Sequence, residues 1–498
     1  VDWVKWSDAE KAMATSDYSY DSAGRLTGID HHQGDTVLAS YAYSYEDGAD
    51  GGQYDSPLLS GEGPGVRASS SAPSGVLLPF HDPSSIDLAM LDQAIPAADQ
   101  IASVASADGT VNYSYDPSGQ LTGASYSTSE SGQLSVVSCQ LPTNNGPRTT
   151  DLPPNESYSF DANGDRTGAG YVIGPDNQVL CDGTYAYMYD AEGNRTAKFI
   201  DANSDGVLDS GDTSVTIYGW DNRNRLVSVT SYAAYGDAPT QTVTYSYDAQ
   251  NRWIGETVTG GLSQVSSDET GTVPLAVHAT AFAYDPEAGG GGGAGTGQIV
   301  LQFDGDCPKF AQQNGTVPLT VANLSHRYLW GPAVDQILAD EQLSPLPPGA
   351  TTGVVPEGEG GGYDLTQPGT VVWPLTDNLG TARDLAIYNA ATGVTSVANH
   401  RVYDSFGNLN SQTNAAVGCI FGFTGKPLDP AGTGLQNNNA RIYDAALGDW
   451  LSRDPTSFTA GDTNTSRYAG SSPTSATDPS GQIIVVPGTQ AAALSAYI

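Results

Sequence analysis

Cysteine is scarce in this chain: Cys139, Cys181, Cys307 and Cys419 are the four it has in 498 residues. None stands in a Cys-x-x-Cys pair, which excludes a zinc knuckle or a thioredoxin-like site. They are too few and too scattered for a disulfide framework, and the sequence does not choose among the three pairings. Positive charge is scarce as well. Lys and Arg number 19 against 56 Asp and Glu, a net charge of −37. Nucleic-acid affinity rests on neutralising phosphates, so DNA and RNA are excluded as partners. An anionic membrane surface is excluded on the same electrostatic ground. No run approaches the roughly 20 apolar residues of a membrane span, so no membrane insertion is expected. No Gly-x-Ser-x-Gly elbow or His-Glu-x-x-His helix occurs. His31 and His32 are adjacent, and on a strand they would face opposite ways. Gly290 to Gly295 formally fits a dinucleotide loop but reads as linker.

What is abundant is an aromatic–aspartate pair. Tyr20-Asp21 recurs as Tyr115-Asp116, Tyr189-Asp190, Tyr247-Asp248, Tyr284-Asp285, Tyr403-Asp404 and Tyr443-Asp444. Phe160-Asp161 and Trp220-Asp221 keep the pattern, and Tyr45-Glu46 is a looser copy. The runs before each acid alternate, as in Tyr41-Ala-Tyr43-Ser-Tyr45 and Val243-Thr-Tyr245-Ser-Tyr247. Alternation puts the tyrosines on one face of a strand. The Asp-x-x-Gly or Asp-x-x-Asn that follows is turn chemistry. Each repeat therefore predicts strand, tight turn, strand, and neighbours must stack to bury what one hairpin cannot. The spread of the acids through turns argues against a disordered acidic tail.

Insertions are expected at about 49–110, 288–297 and 345–362, from their Gly, Ser and Pro content. Within the first, Ser85 to Ile95 has helical spacing and stops at Pro96.

The repeats resemble the YD repeat of RHS and teneurin-like proteins. The C-terminal third resembles the RHS-associated core: Asp377-Asn-Leu-Gly380-Thr-Ala-Arg383, Phe423-Thr-Gly-Lys426, Ala440-Arg441-Ile-Tyr443-Asp444, Leu451-Ser-Arg453-Asp454-Pro455 and Asp478-Pro479-Ser-Gly481. The resemblance implies an all-β fold, a spiralling stack of hairpins forming a shell or barrel. Residues 1–370 would form the wall, 371–481 the core that closes it, and 482–498 a tail.

Two sites follow. Asp201, Asn203, Asp205, Val207 (through its carbonyl), Asp209 and Asp212 match positions 1, 3, 5, 7, 9 and 12 of a calcium loop, with Gly206 at position 6. Position 12 is Asp212, where an EF-hand has glutamate. The flanks Thr196–Ile200 and Thr213–Tyr218 read as strands, so calcium would cap a hairpin and stiffen it. The alternative is a metal-free Asp/Asn/Gly turn. Second, RHS proteins that carry toxins resemble this core and cut themselves after Asp-Pro-x-Gly-Leu with paired aspartates. That resemblance implies catalytic roles for Asp454 and Asp478, with Gln482 standing where leucine is usual. Turn formation by the two Asp-Pro pairs is the leading alternative. The apolar run Ile483–Val486 could add as a strand, pair with a neighbouring subunit or fray.

The expectation is a non-enzymatic structural scaffold, extracellular or cell-surface, calcium-stiffened and self-associating. This setting follows from few lysines and many Asp, Gly, Ser and Thr. A self-cleaving delivery shell, and an adhesion module that binds glycans or surface proteins, are the rivals. Val1 reads as a processed, proteolysed or truncated start.

Overall fold

The computed structural model describes residues 14–46, 99–128, 152–260, 277–285, 297–306, 323–331, 333–344 and 368–486. The expected helix at 85–95, the Gly290 tract, the 345–362 insertion, Cys139 and Cys307 lie outside them, as does the tail beyond Val486. The described residues are all-β, with large antiparallel sheets.

The first sheet has seven strands in chain order: β1 (Thr15–Tyr20), β2 (Leu26–Gln33), β3 (Thr36–Tyr45), β4 (Ile101–Ser106), β5 (Gly109–Tyr115), β6 (Leu121–Ser127) and β7 (Glu156–Ser157). The second has sixteen, also in chain order. It starts with β8 (Tyr171–Ile173), β9 (Val179–Asp182), β10 (Ala186–Tyr189), β11 (Arg195–Ile200), β12 (Thr213–Trp220), β13 (Leu226–Ala234), β14 (Gln241–Tyr247) and β15 (Trp253–Gly260). It continues through β16 (Val277–Tyr284), β17 (Ile299–Asp306), β18 (Leu324–Trp330), β19 (Ile337–Gln342), β20 (Thr370–Thr376), β21 (Ala382–Asn389), β22 (Val394–Tyr403) and β23 (Leu409–Gln412). A small third sheet, β24 (Leu435–Asn438), β25 (Arg441–Asp444) and β26 (Asp449–Trp450), belongs to the C-terminal cap.

The repeat explains this order. Asp21 Oδ1 accepts the amides of Ala23 and Arg25, both at 2.9 Å, and Oδ2 takes the Arg25 Nε at 2.7 Å. Asp221 with Arg225 and Asp248 with Arg252 repeat the arrangement. Gly24 closes the turn at φ +84°, a conformation that favours glycine. At wall aromatics the ladder slips: Tyr20 pairs with Leu26, Trp220 with Leu226, Tyr247 with Trp253 and Tyr403 with Leu409. Such bulges bend a strand and increase its twist.

Successive hairpins are then joined by the same aromatics. The Tyr45 hydroxyl donates to the Leu26 carbonyl at 2.7 Å, Tyr247 to Leu226 at 2.8 Å and Tyr284 to Trp253 at 2.6 Å. Trp220 and Trp330 do so through Nε1, to Arg195 and Ile299. Arg25, Arg225 and Arg252 lie over the rings of Tyr45, Tyr247 and Tyr284. The aromatic, the acid and the arginine thus form one joint.

Three features describe how the ladder is arranged. Among the described residues the sheets do not close into a barrel by strand pairing. Instead the first sheet packs on the last strands of the second, through Ile29, Leu38, Tyr41 and Val104 against Leu375 and Ala386. The insertion expected to about 110 ends earlier. Ile101–Ser106 and the start of β5 are strands, because Asp108-Gly109 turns the chain and Ile101 and Val104 bury their side chains. The wall also runs past 370, since β20 to β23 extend its ladder and the cap begins after Gln412.

The cap fills one face of the large sheet. Phe421 packs edge-on against Tyr328 and Trp330, with centroids 5.0 and 4.8 Å away. Leu435 and Leu451 join Leu226, Val243 and Leu385 in the same core. Burying a side chain such as Phe421 contributes roughly 1.5–3 kcal/mol. The cap has its own aromatic centre in Phe423, Tyr443, Trp450 and Tyr468.

Candidate functional site: an arginine-bridged aspartate pair

Strand β25 carries Arg441 into the middle of the cap, where its guanidinium lies 4.0 Å from the centre of the Trp450 ring. One nitrogen, Nη2, reaches Asp478 Oδ2 at 2.9 Å and Asp454 Oδ2 at 3.1 Å. All three side chains are buried. The structure therefore brings together the two aspartates singled out in the sequence and adds the arginine between them.

The remaining oxygens are engaged locally. Asp454 Oδ1 accepts the Thr456 amide at 2.8 Å and its hydroxyl at 2.5 Å. Asp478 Oδ1 accepts the amides of Gln482 at 2.9 Å and Ile483 at 3.0 Å. Each Asp-Pro pair thus does make a turn, while its other oxygen serves the pair. Arg441 Nε donates to the Gly481 carbonyl, and Nη1 to that of Thr465 at 3.2 Å. Gly481 is at φ +71°, and a Cβ there would come 2.7 Å from the Asn438 carbonyl oxygen. Only glycine lets the chain leave the site along this path.

Burial raises the Asp478 carboxyl above its ordinary range, an effect that Arg441 and the Ile483 and Gln482 amides offset only in part. Burial likewise lowers Arg441 against the pull of both carboxylates. Beyond the pair, Thr477 and Val485 exchange backbone bonds at 2.9 and 2.7 Å, and Ile484 and Val486 pack on the cap. The start of the apolar tail is docked, not frayed.

The calcium-like loop joins β11 and β12 as a hairpin tip. Asp201 Oδ1 accepts the amides of Asn203 and Ser204, and Oδ2 that of Gly206 at 2.8 Å. Asp205 Oδ1 takes the Val207 amide, and Asp212 takes those of Ala202 and Asp209. Gly206 is at φ +75°. Desolvation, then the charges of Asp205, Asp212 and Asp201, raise the Asp209 carboxyl above its ordinary range. The donors are the hard oxygens that calcium prefers. They are turned onto amides, however, and among the described residues no group of three or more His, Cys, Asp or Glu converges as a metal cage.

Two further clusters escaped the sequence reading. His400 sits between Asp108 and Asp384, at 2.8 and 2.7 Å, where the two sheets meet. A cavity of about 60 Å³ lies nearby, lined by Asp108, Asp377, Arg383, Tyr403, Asp404 and Thr474. In the wall, Tyr245 and Glu256 are register partners on β14 and β15. The Tyr245 hydroxyl donates to Asp429 of the cap, beside which Glu256 is buried. An alternating strand pattern marks which residues point inward but not that an inward residue will be charged.

No protein-family model matches this chain, and no curated protein sequence matches it. Solved structures do. The Photorhabdus luminescens Tc holotoxin pore, in a form mutated in TccC3, matches with a TM-score of 0.52 at 15% identity, over 95% of this chain and 18% of that one. The crystal structure of TcdB2-TccC3 matches at 0.47 and 15% identity, over 94% of this chain and 19% of that one. This chain thus spans under a fifth of the length of either, and at such identity the likeness speaks to fold alone. The holotoxin pore is a Tc-toxin structure, and the fold of this chain is of the RHS shell type.

Proposed function

We propose that this chain is a structural β-shell protein of an extracellular or cell-surface setting, self-associating and stiffened by calcium at the Asp201–Asp212 tip. The observation that carries this reading is the cap. Phe421, Leu435 and Leu451 fill an apolar face of the wall, so the sheet's inner surface is used for packing. The composition, acidic and poor in lysine, supports the setting. Arg441 fits a structural role as well. Its guanidinium ties the turn at Asp454 to the turn at Asp478 through one ion pair to each, which holds the chain in place.

A self-cleaving delivery shell is the second reading, favoured by the bond from the Ile483 amide to Asp478. There, water would add to the Gln482 carbonyl carbon, losing a proton to Asp454. The carbon–nitrogen bond to Ile483 would break as Asp478, protonated, gives its proton to that nitrogen. The Tc holotoxin pore among the structural neighbours lends this reading its context.

Intact-mass measurement on the purified chain decides between them. A single full-length mass supports the structural reading. A product ending at Gln482 that disappears in Asp478→Asn overturns it in favour of cleavage.

A further inference from the structure

Lys426 is a buried nucleophile that neither reading above uses. It follows the Phe423–Gly425 turn of the cap and is 4% exposed. Its Nζ lies 2.8 Å from Oδ1 of Asp335, in the turn between β18 and β19. The pair joins wall to cap across 91 positions of sequence.

As an ion pair it is poorly served. An ammonium has further protons to place, and among the described residues Nζ has no second acceptor. The other carboxylate oxygen, Asp335 Oδ2, is buried without a hydrogen-bond partner among the described residues. Buried ions repay their desolvation only when such remaining protons and lone pairs are satisfied. Burial accordingly pushes the Asp335 carboxyl up toward its neutral form, against the pull of Lys426.

Both main chains are fixed around the contact. Gly425 is at φ +71°, and a Cβ there would come 2.3 Å from the Asp335 carbonyl oxygen. The Lys426 amide donates to the Phe423 carbonyl at 3.2 Å, and its carbonyl accepts the Gly422 amide at 3.0 Å. The Asp335 carbonyl accepts the Ile337 amide at 3.1 Å. Amine and carboxyl are thus held together without the translational cost of an encounter.

We propose that Lys426 and Asp335 condense to an isopeptide amide, a covalent tie between wall and cap. A proton first passes from Nζ to the carboxylate, leaving a neutral amine and a neutral acid. The Nζ lone pair adds to Cγ and forms the carbon–nitrogen bond. The carbon–oxygen bond to the acid hydroxyl then breaks, and that hydroxyl takes one more proton from Nζ and departs as water. In bulk water the hydration of both ions opposes this step, and burial removes that hydration. The product keeps one N–H and one carbonyl oxygen in place of two ions. The inference is independent of both readings above, since the condensed chain is still full-length.

Mass spectrometry of the 498-residue chain, purified folded and then denatured, tests this. A mass one water below that of the sequence is expected, and digestion should release a branched peptide joining Lys426 to Asp335. Lys426→Arg keeps the charge but not the amine nucleophile, and should restore the full mass. Asp335→Ala should do the same, and serves if the arginine variant does not fold. A wild-type chain of full mass would overturn the proposal and leave an ion pair only. A lost water without the branched peptide would overturn it too, because dehydration of an aspartate within its own segment gives the same mass.

Discussion

Arg195 of the wall and Asp444 of the cap form a buried ion pair, with Nη1 2.7 Å from Oδ2 and the arginine side chain 0% exposed. The residues are far apart in sequence, so the pair locks the eleventh strand to the cap. Asp449 lies close by, and burial, only partly countered by Arg166 and Arg195, raises its carboxyl to about 7.

Arg195→Ala should therefore destabilise the protein by roughly 3–5 kcal/mol, because it strands a buried carboxylate. Replacing both partners, with Arg195→Met and Asp444→Leu, should recover most of that loss. Urea titrations of the two variants check this; equal losses in both would show that the charge is not what matters.

Removing one hydroxyl tests the joint between repeats. Tyr247→Phe keeps the ring under Arg225 but loses the bond to the Leu226 carbonyl. A loss of about 1 kcal/mol is expected. Tyr20→Phe, at the exposed edge, should leave the monomer's stability unchanged in the same titration.

His400 should give stability an alkaline limit. Burial disfavours its charge, but Asp108 and Asp384 outweigh that and lift it to about 9. A histidine raised above its unfolded value near 6.5 stabilises fully below that value and loses the effect as pH climbs through about 9. The span is on the order of 3 kcal/mol. His400→Gln should abolish this slope between pH 6.5 and 9 in denaturation midpoints.

Glu256 should give stability a second dependence on pH. Burial, then Asp429 and Asp304, raise its carboxyl well above the ordinary value. The folded state thus binds the proton more tightly, so stability is full below the unfolded value and falls as pH rises toward the folded one. Glu256→Gln removes this titration, and a variant whose midpoint still falls over that window would disprove the assignment.

Calcium is tested at the hairpin tip. Isothermal titration should show uptake at one site, with a raised melting temperature, and Asp205→Ala should abolish both. No heat of binding on the wild-type chain would leave the tip a plain turn.

Much of the wall was legible in the sequence because its signal is local and repeated. An aromatic, an acid, two further residues, then Gly or Asn and Arg, as in Tyr20 to Arg25, state a strand end, a turn and a cover for the next ring within a few residues. Alternation in Val243 to Tyr247 likewise settles which face is buried. Asp454 and Asp478 could be named because their Asp-Pro segments resemble those of the RHS-associated core. Arg441 between them could not, since nothing in its neighbourhood says that two later turns return to it. The same holds for His400 and Glu256, whose partners come from distant strands. The missed strand at Ile101–Ser106 has a different cause: its alanines and serines have the composition of the insertion beside it.

The slip in pairing at Trp220, Tyr247 and Tyr284 has an engineering consequence. The hairpins there carry their own bends and joints, so curvature accrues in whole modules. Excising residues 221–247, from one turn acid to the next aromatic, would bring Trp220 directly before Asp248 and regenerate an aromatic–acid turn. Length in such a wall is a modular variable, changeable by units of this size without redesigning any contact within the units that remain.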